Sequence, residues 1–272
     1  MKSLISIIIR TKNEAVPLQL LLESLETQQN APELEAIIVD NLSTDDTLEV
    51  AKRCNLVKKV VEIKDFNYGR ALNLGVAAAK GDYILSLSAH ALPASDLFLA
   101  GLLTCLTSSQ AVAVSAKEIP FANAPIWEKI RLTKIWQSTH RPFSNVAALY
   151  LGSYLRDHLF LELPYSEDSA WAAAARLDEK NVTYCDGAQI FHSHLESAQE
   201  IKSRFQKIYL AERQLRTCPK SNLGRVTLGF LKDTIRDTPY LKNYSRNLEG
   251  ALVNFWNLLR FNYWKRQAQF RG

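Results

Sequence analysis

The chain has 272 residues, 47% hydrophobic and 22% charged, with a formal net charge of +5. That balance excludes a disordered polymer, and no apolar stretch reaches the ~18 residues of a membrane span, so one large or two modest buried cores are expected. The charge is unevenly placed: from Glu200 to Gly272 there are 15 Lys/Arg against 5 Asp/Glu, which leaves the first 199 residues at −5 and argues against nucleic-acid binding by the main body.

Leu4–Ile9 is apolar but too short for a secretory core, and Arg10-Thr11-Lys12-Asn13-Glu14 follows where a cleavage site would stand, so a first buried strand is predicted. Leu18, Leu21, Leu22 and Leu25, with Pro17 near the start, predict a helix. Glu35–Val39 reads as a second strand ending at Asp40-Asn41, and Ser43-Thr44-Asp45-Asp46 as the cap of a helix through Val50. Val57–Ile63 is a third strand. Asn67-Tyr68-Gly69-Arg70 opens a small-residue helix, Ala71–Ala79, closed by Gly81, and Tyr83–Leu87 is a fourth strand. This alternation predicts an α/β fold with a mostly parallel sheet covered by helices on both faces. Further on, Asp96–Thr107 and Asp168–Leu177 read as helices, and Ala111–Ala116, Asn181–Cys185 and Ala188–Phe191 as strands. The aromatic, turn-rich Pro120–Pro142 is expected to be an irregular acceptor-side loop. Residues 1–197 form the expected catalytic domain and 198–272 a basic helical extension. With no signal segment and no Cys-x-x-Cys, the scattered Cys54, Cys105, Cys185 and Cys218 predict reduced, buried thiols in a cytoplasmic protein.

Three of the five histidines stand at strand ends, His90 after the fourth strand and His192 and His194 after the last. In an open α/β sheet the chemistry gathers at that edge. The paired histidines, two apart, share one face of an extended chain. Imidazole nitrogens suit Mn²⁺ and other transition cations better than Mg²⁺. Asp40, ending a buried strand, is placed to accept hydrogen bonds from a ribose or a base, or to serve as a turn residue. No glycine-rich phosphate motif is present, so phosphates need a cation and side chains such as Arg70. Ser166 is expected to cap a helix whose first turn holds Glu167 and Asp168, where the helix dipole favours the carboxylate form of Asp168.

Several of these segments, in order, resemble family 2 glycosyltransferases of the GT-A (Rossmann-like) fold, of the non-processive bacterial type. They are Ser6–Glu14, Ile38–Thr47, Gly69–Gly75, Lys80–Tyr83 and Glu167-Asp168. The resemblance implies transfer of a sugar from a nucleoside diphosphate, with donor contacts from Thr11, Asn13, Glu14, Asp40, Asn41, Arg70, Asn73 and Ser88. It implies Asp168 as base, Glu167 beside it orienting the loop or acceptor, and inversion at the anomeric carbon. Where the family carries Asp-x-Asp on its cation this chain has Ser88-Ala89-His90, so His90, His192 and His194 are the expected metal ligands, with Mn²⁺ favoured over Mg²⁺. The processive Gln-x-x-Arg-Trp element is absent. The acceptor is then a glycan or lipid-linked hydroxyl in surface polysaccharide assembly. A sugar-nucleotide nucleotidyltransferase and a non-catalytic nucleotide-sugar-binding protein are the competing readings.

In the tail, Leu248, Leu252, Phe255, Trp256, Leu259 and Trp264 fall near one helical face with Arg246, Arg260, Lys265 and Arg266 around them. A basic aromatic helix of this kind suits the anionic inner face of the cytoplasmic membrane. Packing on the catalytic domain, or on a partner in a homodimer, is the alternative.

Overall fold

The computed structural model describes residues 3–138, 141–163, 165–194, 197–214, 223–245 and 248–271. They form two compact units. The first takes in the chain to Ile119 with Pro142–Leu163 and Glu167–His192; the second takes in Pro120–Arg141 and the chain from Ser193 onward.

The first unit is an eight-stranded sheet. Its strands are β1 (Leu4–Thr11), β2 (Glu33–Asp40), β3 (Val57–Glu62), β4 (Tyr83–Ser88), β5 (Leu92–Pro93), β6 (Ala113–Ile119), β7 (Ala147–Leu151) and β8 (Val182–Phe191), in the spatial order β3-β2-β1-β4-β7-β6-β8-β5. β1 to β4 are linked by α1 (Ala15–Glu26), α2 (Thr47–Arg53) and α3 (Tyr68–Ala78) and run parallel. β1, β2 and β4 are largely buried and read as apolar runs, whereas β3, at the sheet edge, is mostly exposed. Their pleat divides the core: Ile7, Ile9, Leu85 and Leu87 pack with Leu18, Leu21 and Leu102, while Ile8, Val39 and Ile84 pack with Leu72 and Trp171. Helix α4 (Phe98–Ser108), α6 (Gly152–Asp157) and α7 (Glu167–Leu177) complete the unit.

Four expectations are corrected here. Residues 143–163, where no strand is expected, hold β7, which runs antiparallel to β4 and β6 within a sheet that is mostly parallel, as expected. The two short strands at 181–191 are one strand, β8, whose register against β6 slips between Ala116 and Lys117, a bulge that interrupts the alternation. Gly81 does not close α3 in a left-handed cap, since no glycine among the described residues has positive φ. It is a site of close approach, where a Cβ would lie 2.6 Å from Ser6 N and 2.7 Å from Leu4 O. Cys105 and Cys185 are not reduced thiols but a disulfide with Cα atoms 5.9 Å apart, because α4 lies across β8; Cys54 is free.

The second unit is helical: α5 (Ile126–Gln137), α8 (Ala198–Gln214), α9 (Leu223–Asp237), a 3-10 turn (Thr238–Asn243) and α10 (Leu248–Arg271). The predicted loop at Pro120–Pro142 is therefore largely helix α5. Its inward positions include Glu128, fully buried, between Ile126 and Ile130, and a charge on the inner face erases the apolar period that announces a helix. The apolar core here is small: Ile126, Ile130, Leu241 and Leu258, with Trp127 stacked on Phe261 at 5.5 Å. Charge fills the rest. Glu128 Oε2 accepts from Arg131 at 2.6 Å. Buried Asp233 meets Arg236 and Arg266 at 2.8 Å and Lys265 at 3.1 Å, and Asp237 takes Lys134.

On α10 the expected single apolar face is divided. Leu258, Phe261 and Ala268 are buried, whereas Leu252, Val253 and Trp256 are exposed, Trp256 at 61%. Lys265 and Arg266, expected to face lipid, are held by Asp233. Arg246 lies outside the described residues, as does the side chain of Leu248. Among the described residues no helix is long and apolar enough to cross a membrane.

Candidate functional site

Most of the residues singled out above lie at the carboxyl edge of the parallel strands, within the first unit. Two loops leave β1 and β2 and hold each other. Asn13, in the left-handed region (φ 54°), donates its backbone N–H to Ser43 Oγ at 2.8 Å and accepts Thr44 N–H at 2.7 Å. Asparagine tolerates that conformation better than most residues. Fully buried Asp40 accepts Ser43 N–H (2.8 Å) and Ser43 Oγ–H (2.5 Å), the turn arrangement, and Asn41 N–H bonds Thr11 O at 3.0 Å. Thr11 Oγ1 is buried without a hydrogen-bond partner among the described residues. The cap of α2 comes from Asp45, which accepts Thr47 N–H at 3.1 Å, and Asp46 makes no such bond.

On α3, whose cap Asn67 accepts Arg70 N–H, the two expected donor ligands are tied to the 158–163 segment. Arg70 pairs with Glu162 at 2.8 Å and with Asp65 at 3.3 Å. Asn73 accepts Phe160 N–H and donates to Phe160 O, both at 2.9 Å. Gly75 seats this helix on the sheet, since a Cβ there would meet the Ile8 side chain at 2.3 Å.

Beyond β4 a row of four side chains forms. Glu14 Oε1 lies 2.5 Å from His90 Nδ1, His90 Nε2 lies 3.1 Å from His192 Nε2, and His192 Nδ1 lies 2.9 Å from Glu118 Oε2. The two rings are 21° from parallel with centroids 5.0 Å apart, and Ser88 Oγ stands 3.5 Å from His90. β8 ends at Phe191, so strand alternation does not place His192. Its backbone N–H, bonded to Ile119 O at 2.9 Å, does. His194 follows two residues along the chain.

Beside this row sits an acidic cluster organised by Asn145. Its N–H donates to Asp168 Oδ2 (3.1 Å) and its amide to Glu167 Oε1 (3.2 Å), and its side-chain oxygen accepts the Tyr150 hydroxyl. Its carbonyl accepts Ser86 Oγ–H at 2.9 Å and Arg10 at 3.2 Å, and Arg10 reaches Glu167 at 3.4 Å. The neighbouring Val146 carbonyl accepts Ser88 N–H at 3.0 Å, so consecutive residues tie the acidic cluster to the strand that delivers His90. Asp168 is not held ionised as expected. Burial and the adjacent Glu167 charge push its carboxyl up to about 7, against the pull of the Asn145 and Ser169 N–H groups and of Arg10. Burial also raises the Tyr150 phenol well above its ordinary value, with Asp168 and Glu167 adding to it. Ser166, at φ 62°, lacks the backbone of a capping residue, and α7 starts at Glu167.

Glu118 and Asn145 went unseen in the sequence. Glu118 carries no motif, and Asn145 precedes a strand that nothing predicted; Arg10, within the first motif, was read only as part of it. In a search of curated proteins no sequence matches, but residues 6–155 match the family model described as glycosyl transferase family 2. Three solved structures are similar across the fold. A mannosyltransferase from Pyrobaculum calidifontis, in complex with GDP-Man and Mn²⁺, has a TM-score of 0.69 at 16% identity, covering 100% of this chain and 88% of that one. TarS 1–349 of S. aureus with UDP-GlcNAc has a TM-score of 0.58 at 18% identity, covering 100% and 90%; of another TarS structure the chain spans 39%. Glucosyl-3-phosphoglycerate synthase of Mycobacterium tuberculosis, with Mn²⁺, UDP and glucosyl-3-phosphoglycerate, has a TM-score of 0.58 at 18% identity, covering 80% and 81%. With a family model over more than half of its length and the GT-A fold of these enzymes, the chain belongs to glycosyl transferase family 2 and is a glycosyltransferase.

Proposed function

We propose that the protein is an inverting, non-processive glycosyltransferase that moves a sugar from a nucleoside diphosphate to a hydroxyl of a glycan or lipid-linked acceptor in surface polysaccharide assembly. The observation that carries this reading is the placement of Asp168, held at 3.1 Å by the Asn145 N–H beside Glu167, where burial pushes its carboxyl up to about 7. A general base works best with a pKa near the operating pH. Asp168 takes the acceptor hydroxyl's proton as that oxygen attacks the anomeric carbon opposite the diphosphate, through an oxocarbenium-like transition state. Glu167 and Arg10 hold the loop, with Arg10 compensating one of the two neighbouring carboxylates. Thr11, Asn13, Glu14, Asp40, Asn41, Arg70, Asn73 and Ser88 form the donor side; Asn13, Asp40 and Asn73 act through the loops they hold, Arg70 through its guanidinium. The nucleotide-sugar complexes of the similar enzymes support a donor of this class.

His90 and His192 fit a divalent cation: their Nε2 atoms lie 3.1 Å apart while each Nδ1 is engaged by a carboxylate. When bound, the cation supplies positive charge against the leaving diphosphate. Nitrogen donors favour Mn²⁺ over Mg²⁺, and two of the similar enzymes are complexes with Mn²⁺. The exposed Leu252, Val253 and Trp256 of α10, in a segment with 15 Lys/Arg against 5 Asp/Glu, deliver the enzyme to an anionic membrane surface, where a lipid-linked acceptor resides. Asp168→Asn is the test of the reading. Transfer from a nucleotide-sugar panel should fall on the order of 10²–10⁴-fold while donor binding persists. Near-normal turnover would refute it.

A further inference from the structure

Each histidine of the facing pair carries a carboxylate on its far ring nitrogen, and those carboxylates come from different elements. Glu118 belongs to β6, in register with Ile190 of β8 in a parallel pairing, and the Ile119 carbonyl extends that ladder to His192 N–H. His192 is thus fixed twice, by backbone and by its 2.9 Å bond to Glu118, with side-chain exposures of only 3% and 11%. Glu14 sits just before α1 and holds His90 at 2.5 Å in a more open position. A carboxylate can only accept from a ring N–H, so both bonds place hydrogens on Nδ1 and turn the Nε2 acceptors toward each other. Those nitrogens are 3.1 Å apart. Two imidazoles sharing one metal at ordinary metal–nitrogen lengths have their nitrogens about 3 Å apart, so the pair is already spaced for a common ion.

We infer that Glu118 and Glu14 are positioning residues that preorganise His90 and His192 as a nitrogen pair for a divalent transition cation, Glu118 contributing the larger share. This rests on the metal reading of the same site above and adds the two carboxylates behind the imidazoles, a role the motif assigns to neither. Carboxylates behind ligating imidazoles set tautomer and ring orientation and raise ligand basicity, and their loss costs about 10–100-fold in metal affinity.

The test is Mn²⁺ titration of the intact protein, followed by electron paramagnetic resonance, without donor or acceptor. His192→Ala should abolish binding. Glu118→Ala should weaken it by about 10–100-fold, and Glu118→Gln, whose amide oxygen still accepts the Nδ1 hydrogen, should recover part of the loss. Glu14→Ala, at the more exposed end, should lose about tenfold, and carries the test alone if Glu118→Ala does not fold. The ¹⁴N couplings of bound Mn²⁺ should weaken in the alanine variants, a change that a purely structural role would not produce. Binding lost in His192→Ala but unchanged in both glutamate-to-alanine variants overturns the positioning role and leaves the metal reading standing. Wild-type protein that binds no Mn²⁺ overturns the metal reading, and the positioning role with it.

Discussion

Asp168 in the first unit and Asp233 in the second are both enclosed carboxylates, and their surroundings drive them in opposite directions. Around Asp168 burial and the like charge of Glu167 raise the carboxyl to about 7. Around Asp233 burial also pushes upward, but the charges of Lys265, Arg266 and Arg236 and the Lys265 hydrogen bond outweigh it and hold the carboxyl below its ordinary value. The sheet unit draws its cohesion from an apolar core with two full faces, so it can carry an unfavourable acid pair at its edge. The helical unit has a small apolar core and depends on Asp233, Asp237 and Glu128 each being met by cations. Enclosed charge serves cohesion in the second unit, whereas in the first it is left poised for the proton transfer proposed above.

The largest expected effect separates the two roles outright. Asp168→Asn, besides losing transfer as proposed above, should keep or raise its unfolding midpoint at pH 8. The native state favours the protonated carboxyl, so wild-type stability declines as pH rises from the ordinary value of 3.8 toward about 7, and asparagine removes that decline. A variant that unfolds would make Asp168 a structural residue. Asp233→Ala should instead cost on the order of 3–5 kcal/mol by denaturant unfolding, because Lys265, Arg266 and Arg236 lose the carboxylate they share. Unchanged stability would dissolve the contrast between the units.

The pH dependences sharpen it. The kcat/KM of wild-type enzyme should rise with pH through about 7, where the base loses its proton, and Asp168→Asn should lack that limb. Asp233 acts with the reverse sign in stability: its contribution is present above its ordinary value of 3.8 and is lost as pH falls through its depressed one, so Asp233→Asn should flatten the acid limb of unfolding. The smallest effect is at the surface. Trp256→Ser should leave stability within about 0.5 kcal/mol, since the ring is 61% exposed, yet lower sedimentation with anionic vesicles. Equal sedimentation would remove the membrane role of α10.

Much of the first unit was legible along the chain. β1, β2 and β4 announce themselves because buried parallel strands are apolar runs, α1 because its leucines fall at helical spacing, and α2 and α3 because turn and cap residues open them. α5 and the inner face of α10 were not, because their buried positions include Glu128 and Asn262, and a polar residue facing inward cancels the periodicity on which such reading depends. The strand after Asn145 escaped for another reason: Ala147–Leu151 is an apolar run without alternation, which periodicity alone cannot tell from a buried helix segment, and unlike Tyr83–Leu87 it does not continue a strand–helix alternation.

From the sequence alone one obtains which side chains can do chemistry and which elements deliver them: His90 after β4, Asp168 in the first turn of α7, His192 past β8. Motif order and local propensity act over a few residues and are written in the chain. The tertiary structure alone decided the partners. Glu118 meets His192 across 74 residues, Glu14 meets His90 across 76, and Arg10 meets Glu167 across 157. Such pairings arise from strand order and register, and they set what local pattern cannot: which nitrogen of an imidazole is engaged, and whether a carboxyl at a helix start is ionised or poised near neutrality.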